Sequence, residues 1–446
     1  MKIAFISPGA AGMICGACLH DNTLAATMIG MGHDVALIPL YTPIRTDETD
    51  VSIDRIFYGA VNVYLEQKSA IFRHTPWMVD QLLNNRGLLD WVSRKGTGAD
   101  ARMLGDLTVS VLMGEHGKQA KELDKLIAWL QDDYQPDIVQ ISNSLLLGLA
   151  HRIRDELRVP VLCAVQGEEI FVEDLPDDYR DKVRGLMTEK AKDVDGFVAC
   201  SRYYVDFMAD YLGVSTDRIH HVPLGLNTEG YQQQVEVKGE LPFTIGYLAR
   251  ICPEKGLHLL VETFRQLVDK VGREQARLRI AGYLGERDRE YFDGIMSQIR
   301  SWGLEEVVDH VGEVDREHKI DFLRSLHVLS VPTVYREPKG LFVLEALAAG
   351  CPVVQPAHGA FPELIEATGG GLLFDSGSAT SLTEALLVLM QDPQRRRDLG
   401  KQGSESVHRA YNAQVMAENT LKVYRRYLSG TAEQPDAAVV PSRARA

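Results

Sequence analysis

Residues 337–349 read EPKGLFVLEALAA, a loop that runs through Gly340 into an apolar stretch too long for one strand. A short apolar run at 328–331 precedes it and another at 352–355 follows it. The spacing predicts strand, loop, helix over 341–349, and strand. The same alternation extends in both directions. Toward the amino end lie apolar runs at 242–249, 278–281 and 307–311, with helical patterns at 257–271, 289–302 and 319–325. Toward the carboxyl end a helix is predicted over 381–391. Further upstream a first series repeats the pattern, with strands at 3–6, 35–40, 137–142, 161–165 and 196–200. Continuous Val/Ile/Leu runs suit strands buried on both faces. The chain is therefore predicted to be α/β and doubly wound, with two Rossmann-like domains.

The joint between the two series is polar (NTEGYQQQVEVKGE, 227–240). Domains are expected over 1–232 and 240–412. An amphipathic helix over 413–430 is expected to return toward the first domain, and the polar tail over 431–446 to be disordered. Residues 68–130 stand out as a helical insertion. Within it, 68–96 place two Trp and several Leu among basic residues. That pattern fits a flap packed on the first domain, and it fits contact with a membrane surface or an acceptor.

The 446-residue chain carries 48 Lys and Arg against 62 Asp and Glu, a net charge of −14, and 45% hydrophobic residues. Such a surface repels polyanions on average, which argues against nucleic acid as a partner. No signal peptide is expected, since Met1-Lys2 leads into a short apolar strand and then glycines, and no run of about 18 apolar residues occurs. The expectation is a cytoplasmic protein, with peripheral contact on the inner face of the membrane as the alternative. Of six cysteines only Cys15 and Cys18 form a C-x-x-C, and no second pair or nearby His completes a metal set. Packing at a helix start is the simpler reading for that pair.

Three groups of residues carry chemistry. Residues 8–17 (PGAAGMICGA) lie between a strand and a helix, where small residues admit a ligand close to the backbone and the helix start favours an anion. The spacing is not G-x-G-x-x-G, so the dinucleotide fingerprint fails. Arg250 and Lys255 form an R-x4-K directly after the first strand of the second series, where ligands sit in open α/β sheets. Lys255 is expected in the first turn of the following helix. A cation there opposes the helix dipole unless a bound diphosphate supplies negative charge. Glu337 and Glu345 form an E-x7-E across the loop–helix junction. Glu345 falls in an otherwise apolar helix, where a lone carboxylate is costly without partners, and two ribose hydroxyls would suit it. Backbone N–H groups near Gly340, Leu341 and Phe342 are expected to meet phosphate at the helix start. Solvated charge is the alternative for the cations, and a helix-edge carboxylate for Glu345.

The stretches GYLARICPEKGLHLLVETF (246–264) and EPKGLFVLEALAAGCPVVQPAHGAFPELI (337–365) resemble the second domain of glycosyltransferase family 4. Its members have the GT-B fold, two Rossmann-like doubly wound domains facing a central cleft. The Gly-rich start and MGHDVALI (31–38) resemble the first domain, and VACSRYY (198–204) and HHVPLGLN (220–227) the stretch before the linker. The resemblance implies transfer of a hexose-type sugar from a UDP- or GDP-sugar, with retention at the anomeric carbon. The nucleotide-sugar is a co-substrate, and neither cofactor nor catalytic metal is implied. Arg250 and Lys255 match the cations that bind the donor diphosphate. Glu345 matches the ribose-holding Glu, and Glu337 the Glu that contacts donor sugar hydroxyls. Gly16, with Gly12, matches the loop near the phosphates. The acceptor, a sugar, glycan or lipid-linked hydroxyl, belongs on the first domain.

Two positions depart from the family pattern. Gln166 stands where many members have a His near the transferred sugar; Gln exchanges hydrogen bonds but does not titrate near pH 7. Lys339 stands where an aromatic or apolar residue is usual, either pairing with a donor anion or solvated. Asp193 and Asp195 form a D-x-D just before a buried strand, read as an accidental match. The rival functions are a GT-B-type nucleotide-sugar epimerase and a non-catalytic nucleotide-sugar-binding protein.

Overall fold

The computed structural model describes residues 1–9, 16–59, 63, 67, 101–231 and 241–430. The chain divides into two compact units, Met1–Pro223 with the segment from Gln414 onward, and Leu224–Ala413. Residues 224–231 side with the second unit rather than the first. There the Leu226 N–H donates to the Tyr411 carbonyl at 2.8 Å, and the Ala413 N–H to the Leu226 carbonyl at 2.8 Å. Residues 60–62, 64–66 and 68–100, which hold most of the predicted insertion and its Trp/Leu stretch, lie outside the described residues, as do 232–240 and the tail from 431.

The first unit is built on β1 (Lys2–Ser7), β2 (Asp34–Pro39), β3 (Ile138–Ile141), β4 (Val161–Val165), β5 (Gly196–Ala199) and β6 (Ile219–His221). They form one parallel sheet in the order β2-β1-β3-β4-β5-β6. Side chains alternate across it. Ile3, Phe5, Ile138 and Leu162 join one apolar cluster, covered by helices Gly16–Gly30 and Ala413–Leu428. Ala4, Ile6, Val139 and Cys163 join the other, with helices Ala101–Leu112, Ala120–Trp129 and Arg202–Leu212. The apolar runs are continuous because both faces are covered. On the first face Tyr424 donates its buried hydroxyl to Gln140 Oε1 at 2.7 Å, which satisfies a polar group that β3 places inside the core.

The second unit carries β7 (Phe243–Leu248), β8 (Ala276–Ala281), β9 (Val308–Gly312), β10 (Val328–Leu329), β11 (Val353–Pro356) and β12 (Gly371–Phe374). The parallel order is β12-β11-β10-β7-β8-β9. The chain runs from β7 outward to β9, returns to β10 beside β7, and continues to β12. The loops leaving β7 and β10 therefore diverge, and the carboxyl ends of this pair form the switch point where open α/β sheets hold ligands. R-x4-K follows β7, and the first Glu of E-x7-E lies in the loop after β10.

Two strands escape the sequence reading. β6 is three residues long and reads IHH, and β12 opens with Gly in a half-exposed GLLF. β6 is too short to show a pattern, and only the last of the four residues of β12 is buried, so neither gives a continuous apolar run. Helices Phe361–Thr368 and Pro393–Ala410 are further additions. No helix among the described residues is long and apolar enough to cross a membrane.

Candidate active site

The loop after β7 is held to the sheet before it presents its cations. The buried Tyr247 hydroxyl donates to the Arg250 carbonyl at 3.0 Å, and the Ile251 N–H to the Tyr283 carbonyl at 2.9 Å. Arg250, half-buried, donates through Nε to Cys252 Sγ at 3.3 Å. Lys255 does not sit in the first turn of helix Leu257–Val271, as its spacing predicts. It ends a short 3-10 turn, Pro253–Lys255, and Gly256 intervenes with φ +72°. A Cβ on Gly256 would stand 1.9 Å from the Pro332 carbonyl oxygen. Glycine is needed there both for the left-handed backbone and for the close approach of the loop after β10.

That approach places Lys255 against Glu337. Its Nζ donates to Glu337 Oε2 at 2.7 Å and to the Tyr335 hydroxyl at 2.5 Å, and lies 5.0 Å from the Tyr335 ring centroid and 5.4 Å from that of Phe342. The Tyr335 hydroxyl donates to the same Glu337 Oε2. Glu337 Oε1 accepts the N–H groups of Lys339 and Gly340, each at 3.3 Å. The residue is only 4% exposed. The Gly340 N–H, expected for phosphate, is thus spent on Glu337. Gly340 opens helix Leu341–Ala348 with φ +70°, and an added Cβ would stand 2.8 Å from Leu364 Cδ1. Leu341, the first helical residue, and Lys339 are half-buried.

Burial alone would raise the Glu337 carboxyl. The Lys255 charge and hydrogen bond, then the Tyr335 hydroxyl and the Gly340 N–H, outweigh it and hold the group at about 2, against an ordinary 4.5. A depressed carboxyl stabilises the fold above its unfolded value and loses that contribution as pH falls through the folded one. Urea unfolding of the second unit should therefore show stability falling between about pH 4.5 and 2. Glu337→Gln should remove up to about 3 kcal/mol of that fall, at about 1.4 kcal/mol per unit. An identical acid profile in the two proteins would refute the assignment.

Glu345 is not the lone carboxylate that the apolar sequence of its helix suggests. Lys319, on helix Arg316–Ser325, donates through Nζ to Glu345 Oε1 at 2.5 Å, and the two side chains are 8% and 7% exposed. Neither Lys319 nor Tyr335 was legible as part of the site. A Lys on an amphipathic helix reads as solvated surface, and Tyr335 sits in no spacing pattern.

Of the residues assigned to the first unit, Gly16 is the first residue of helix Gly16–Gly30, and Gly12 and Cys15 lie outside the described residues. Gln166, directly after β4, is 8% exposed and tied to the scaffold. Its Nε2 donates to Asp21 Oδ1 at 3.1 Å and to the Ser142 carbonyl at 3.0 Å, and its N–H to Glu168 Oε2 at 2.8 Å. Asp21 is fully buried and also accepts the Ser7 hydroxyl at 3.1 Å. This geometry favours a supporting role for Gln166. Gln166→Ala is expected to lower stability by about 1–3 kcal/mol, since it strips a donor from a buried carboxylate and a carbonyl. Any preference between donor sugars should stay unchanged; a shifted preference at unchanged melting temperature would reverse that role. Within the D-x-D, Asp195 is engaged through its carboxylate and Asp193 through its backbone. Asp195 Oδ2 accepts the Val161 N–H at 2.7 Å, and the Asp193 carbonyl accepts from Arg154 at 3.0 Å. Among the described residues no group of three or more His, Cys, Asp or Glu is placed to hold a metal ion.

Comparison with known proteins bears on this arrangement. The family described as Glycosyl transferases group 1 matches residues 231–406, which contain R-x4-K and E-x7-E, and the one described as Glycosyltransferase Family 4 matches residues 109–229. A phosphatidyl-myo-inositol mannosyltransferase of Mycobacterium leprae is 29% identical over 208 residues, 46% of this chain and 52% of the relative. A D-inositol 3-phosphate glycosyltransferase of Kineococcus radiotolerans is 30% identical over 198 residues, 42% and 45% of the two chains. The chain thus spans about half the length of these curated relatives. Among solved structures, Anabaena HepE in complex with UDP superposes with a TM-score of 0.65 at 16% identity, over 95% of this chain and 100% of that one. The two parallel six-stranded sheets and the two family matches lead to one assignment: the chain belongs to the group 1 glycosyltransferases of family 4, with the GT-B fold.

Proposed function

We propose that the protein transfers a hexose-type glycosyl group from a UDP- or GDP-sugar to an acceptor hydroxyl, with retention of anomeric configuration. The observation that carries this reading is the meeting, at the β7/β10 switch point, of Lys255 from the Arg250-bearing loop after β7 with the buried Glu337 of the loop after β10, whose following helix carries the buried Glu345. Arg250 and Lys255 meet the donor diphosphate, and the vicinal hydroxyls of the ribose are received by Glu345. Glu337, which already accepts from Lys255, Tyr335 and the Lys339 and Gly340 N–H groups, exchanges one of its long 3.3 Å backbone bonds for a hydroxyl of the donor sugar. The bond from the anomeric carbon to phosphate oxygen breaks while the acceptor oxygen bonds on the same face. The acceptor proton passes to the departing phosphate oxygen. Charge on that diphosphate grows as the bond breaks, so the cations act most strongly at the transition state. No resident metal or cofactor is assigned.

The UDP bound by HepE supports a nucleotide at such a fold, and the relatives named for phosphatidyl-myo-inositol and D-inositol 3-phosphate support a sugar, polyol or lipid-linked acceptor. Calorimetry with UDP and GDP tests the core of the proposal. Glu345→Ala should weaken the preferred nucleotide roughly 10- to 100-fold, because a hydrogen bond to a charged group is worth about 1.5–3 kcal/mol. Unchanged affinity in a folded variant would sink it. Nucleotide release assayed with and without acceptors, and with EDTA, separates transfer from acceptor-free epimerisation, from binding alone and from metal-dependent turnover.

A further inference from the structure

Helix Arg316–Ser325 turns Lys319, Ile320, Phe322 and Leu323 into the protein. A lysine on that face is out of pattern, since ammonium groups are rarely buried without a compelling partner. Its partner is Glu345, at 2.5 Å, with both side chains less than a tenth exposed. Buried ion pairs of this kind add little to stability over a well-packed apolar pair, so retention of one at a ligand site points to use. An ionised carboxylate offers about four acceptor positions, of which Lys319 takes one on Oε1. Anchoring that oxygen fixes the plane of the carboxylate. The ammonium also cancels a negative charge that would otherwise repel an incoming diphosphate. Lys255 stands in the same relation to Glu337, at 2.7 Å, so each carboxylate of the E-x7-E carries one lysine.

We infer that Lys319 is a positioning residue for the nucleotide: it aims and neutralises Glu345 so that the site selects ribonucleoside diphosphates over their 2′-deoxy counterparts. The inference rests on the reading that Glu345 receives the ribose.

The test measures dissociation constants of UDP and 2′-deoxy-UDP, with GDP and 2′-deoxy-GDP as the second pair, on the full chain. The wild type should favour the ribonucleotide by roughly tenfold or more. Lys319→Met, which keeps the volume of the stem, should weaken the ribonucleotide by roughly tenfold and bring the ribo/deoxy ratio close to one. A merely structural role would lower the melting temperature and leave that ratio intact. Should the Met variant fail to fold, Lys319→Gln, which keeps a donor and loses the charge, carries the same expectation with a partial loss of ratio. An unchanged ratio in the folded Lys319 variant overturns the inference. If Glu345→Gln nevertheless collapses the ratio, only the role of Lys319 falls; if Glu345→Gln leaves it unchanged, the ribose assignment falls with it.

Discussion

Lys255→Met is expected to lower kcat/KM by about 10²–10³-fold, the range seen when one preorganised electrostatic group is removed from a site of developing charge. The ammonium donates to Glu337 and Tyr335 and is only 18% exposed, so the protein itself largely desolvates and aims it. It then has little reorganisation left to undergo as the leaving group gains charge. The same variant should cost stability. Removing one partner of a buried pair leaves the other charge uncompensated, a penalty of about 3–5 kcal/mol for full burial, and Lys255, at 18% exposed, should fall somewhat below that. Stability and turnover are separable by a second substitution. Lys255→Met with Glu337→Gln removes both charges and should recover much of the melting temperature without recovering activity. A stable double variant with wild-type kcat/KM would remove Lys255 and Glu337 from the mechanism together.

How far the site could be read in advance follows from how local its geometry is. R-x4-K and E-x7-E each span one loop or one loop–helix junction, so their spacing alone puts Arg250, Lys255 and Glu337 in loops that follow strands and Glu345 in the next helix. What spacing cannot give is which loop meets which. The return of the chain from β9 to β10 beside β7 brings Lys255 to Glu337, more than eighty residues away, and Gly256 permits the contact. The Lys319–Glu345 pair depends on one helix packing beside another, and helical periodicity marks Ile320 and Phe322 as inward while leaving a Lys to be read as outward. The fold was more legible than the partners. Strands of four or more largely apolar residues announce themselves as runs, whereas the three-residue β6 and the Gly-led, partly exposed β12 do not. Gln166 shows the opposite difficulty. Family likeness points it at the donor, while in the folded unit its amide is engaged by Asp21 and the Ser142 carbonyl.

The second large effect lies in that same loop. Glu168→Ala is expected to destabilise the first unit on the order of 2–5 kcal/mol, because the buried N–H groups of Ser144 and Gln166 lose their carboxylate acceptor at about 1–3 kcal/mol each, with incomplete additivity, while the Gly167 N–H keeps the Tyr204 hydroxyl at 2.8 Å. Glu168 is 4% exposed. Its Oε1 accepts the Ser144 N–H at 3.1 Å, and its Oε2 accepts the N–H groups of Gln166 at 2.8 Å and Gly167 at 3.0 Å. A fourth contact, 3.3 Å from the Tyr204 hydroxyl, is weaker, since that hydroxyl donates more closely to Glu169 Oε2. One side chain thus ties the exit of β4 to the segment after β3 and fixes the backbone on which Gln166 stands. Glu168→Gln keeps one acceptor oxygen and turns an amide N–H₂ toward a donor, so it should fall between wild type and Ala. Amide hydrogen exchange gives the cleanest readout in a two-unit chain. Protection at β3 and β4 should drop in the order wild type, Gln, Ala, while β7 and β8 stay protected. If Glu168→Ala left exchange at β3 and β4 unchanged, the carboxylate would not be what holds this loop. If Glu168→Gln altered donor preference at full protection, Gln166 would have to be moved from the scaffold into the site.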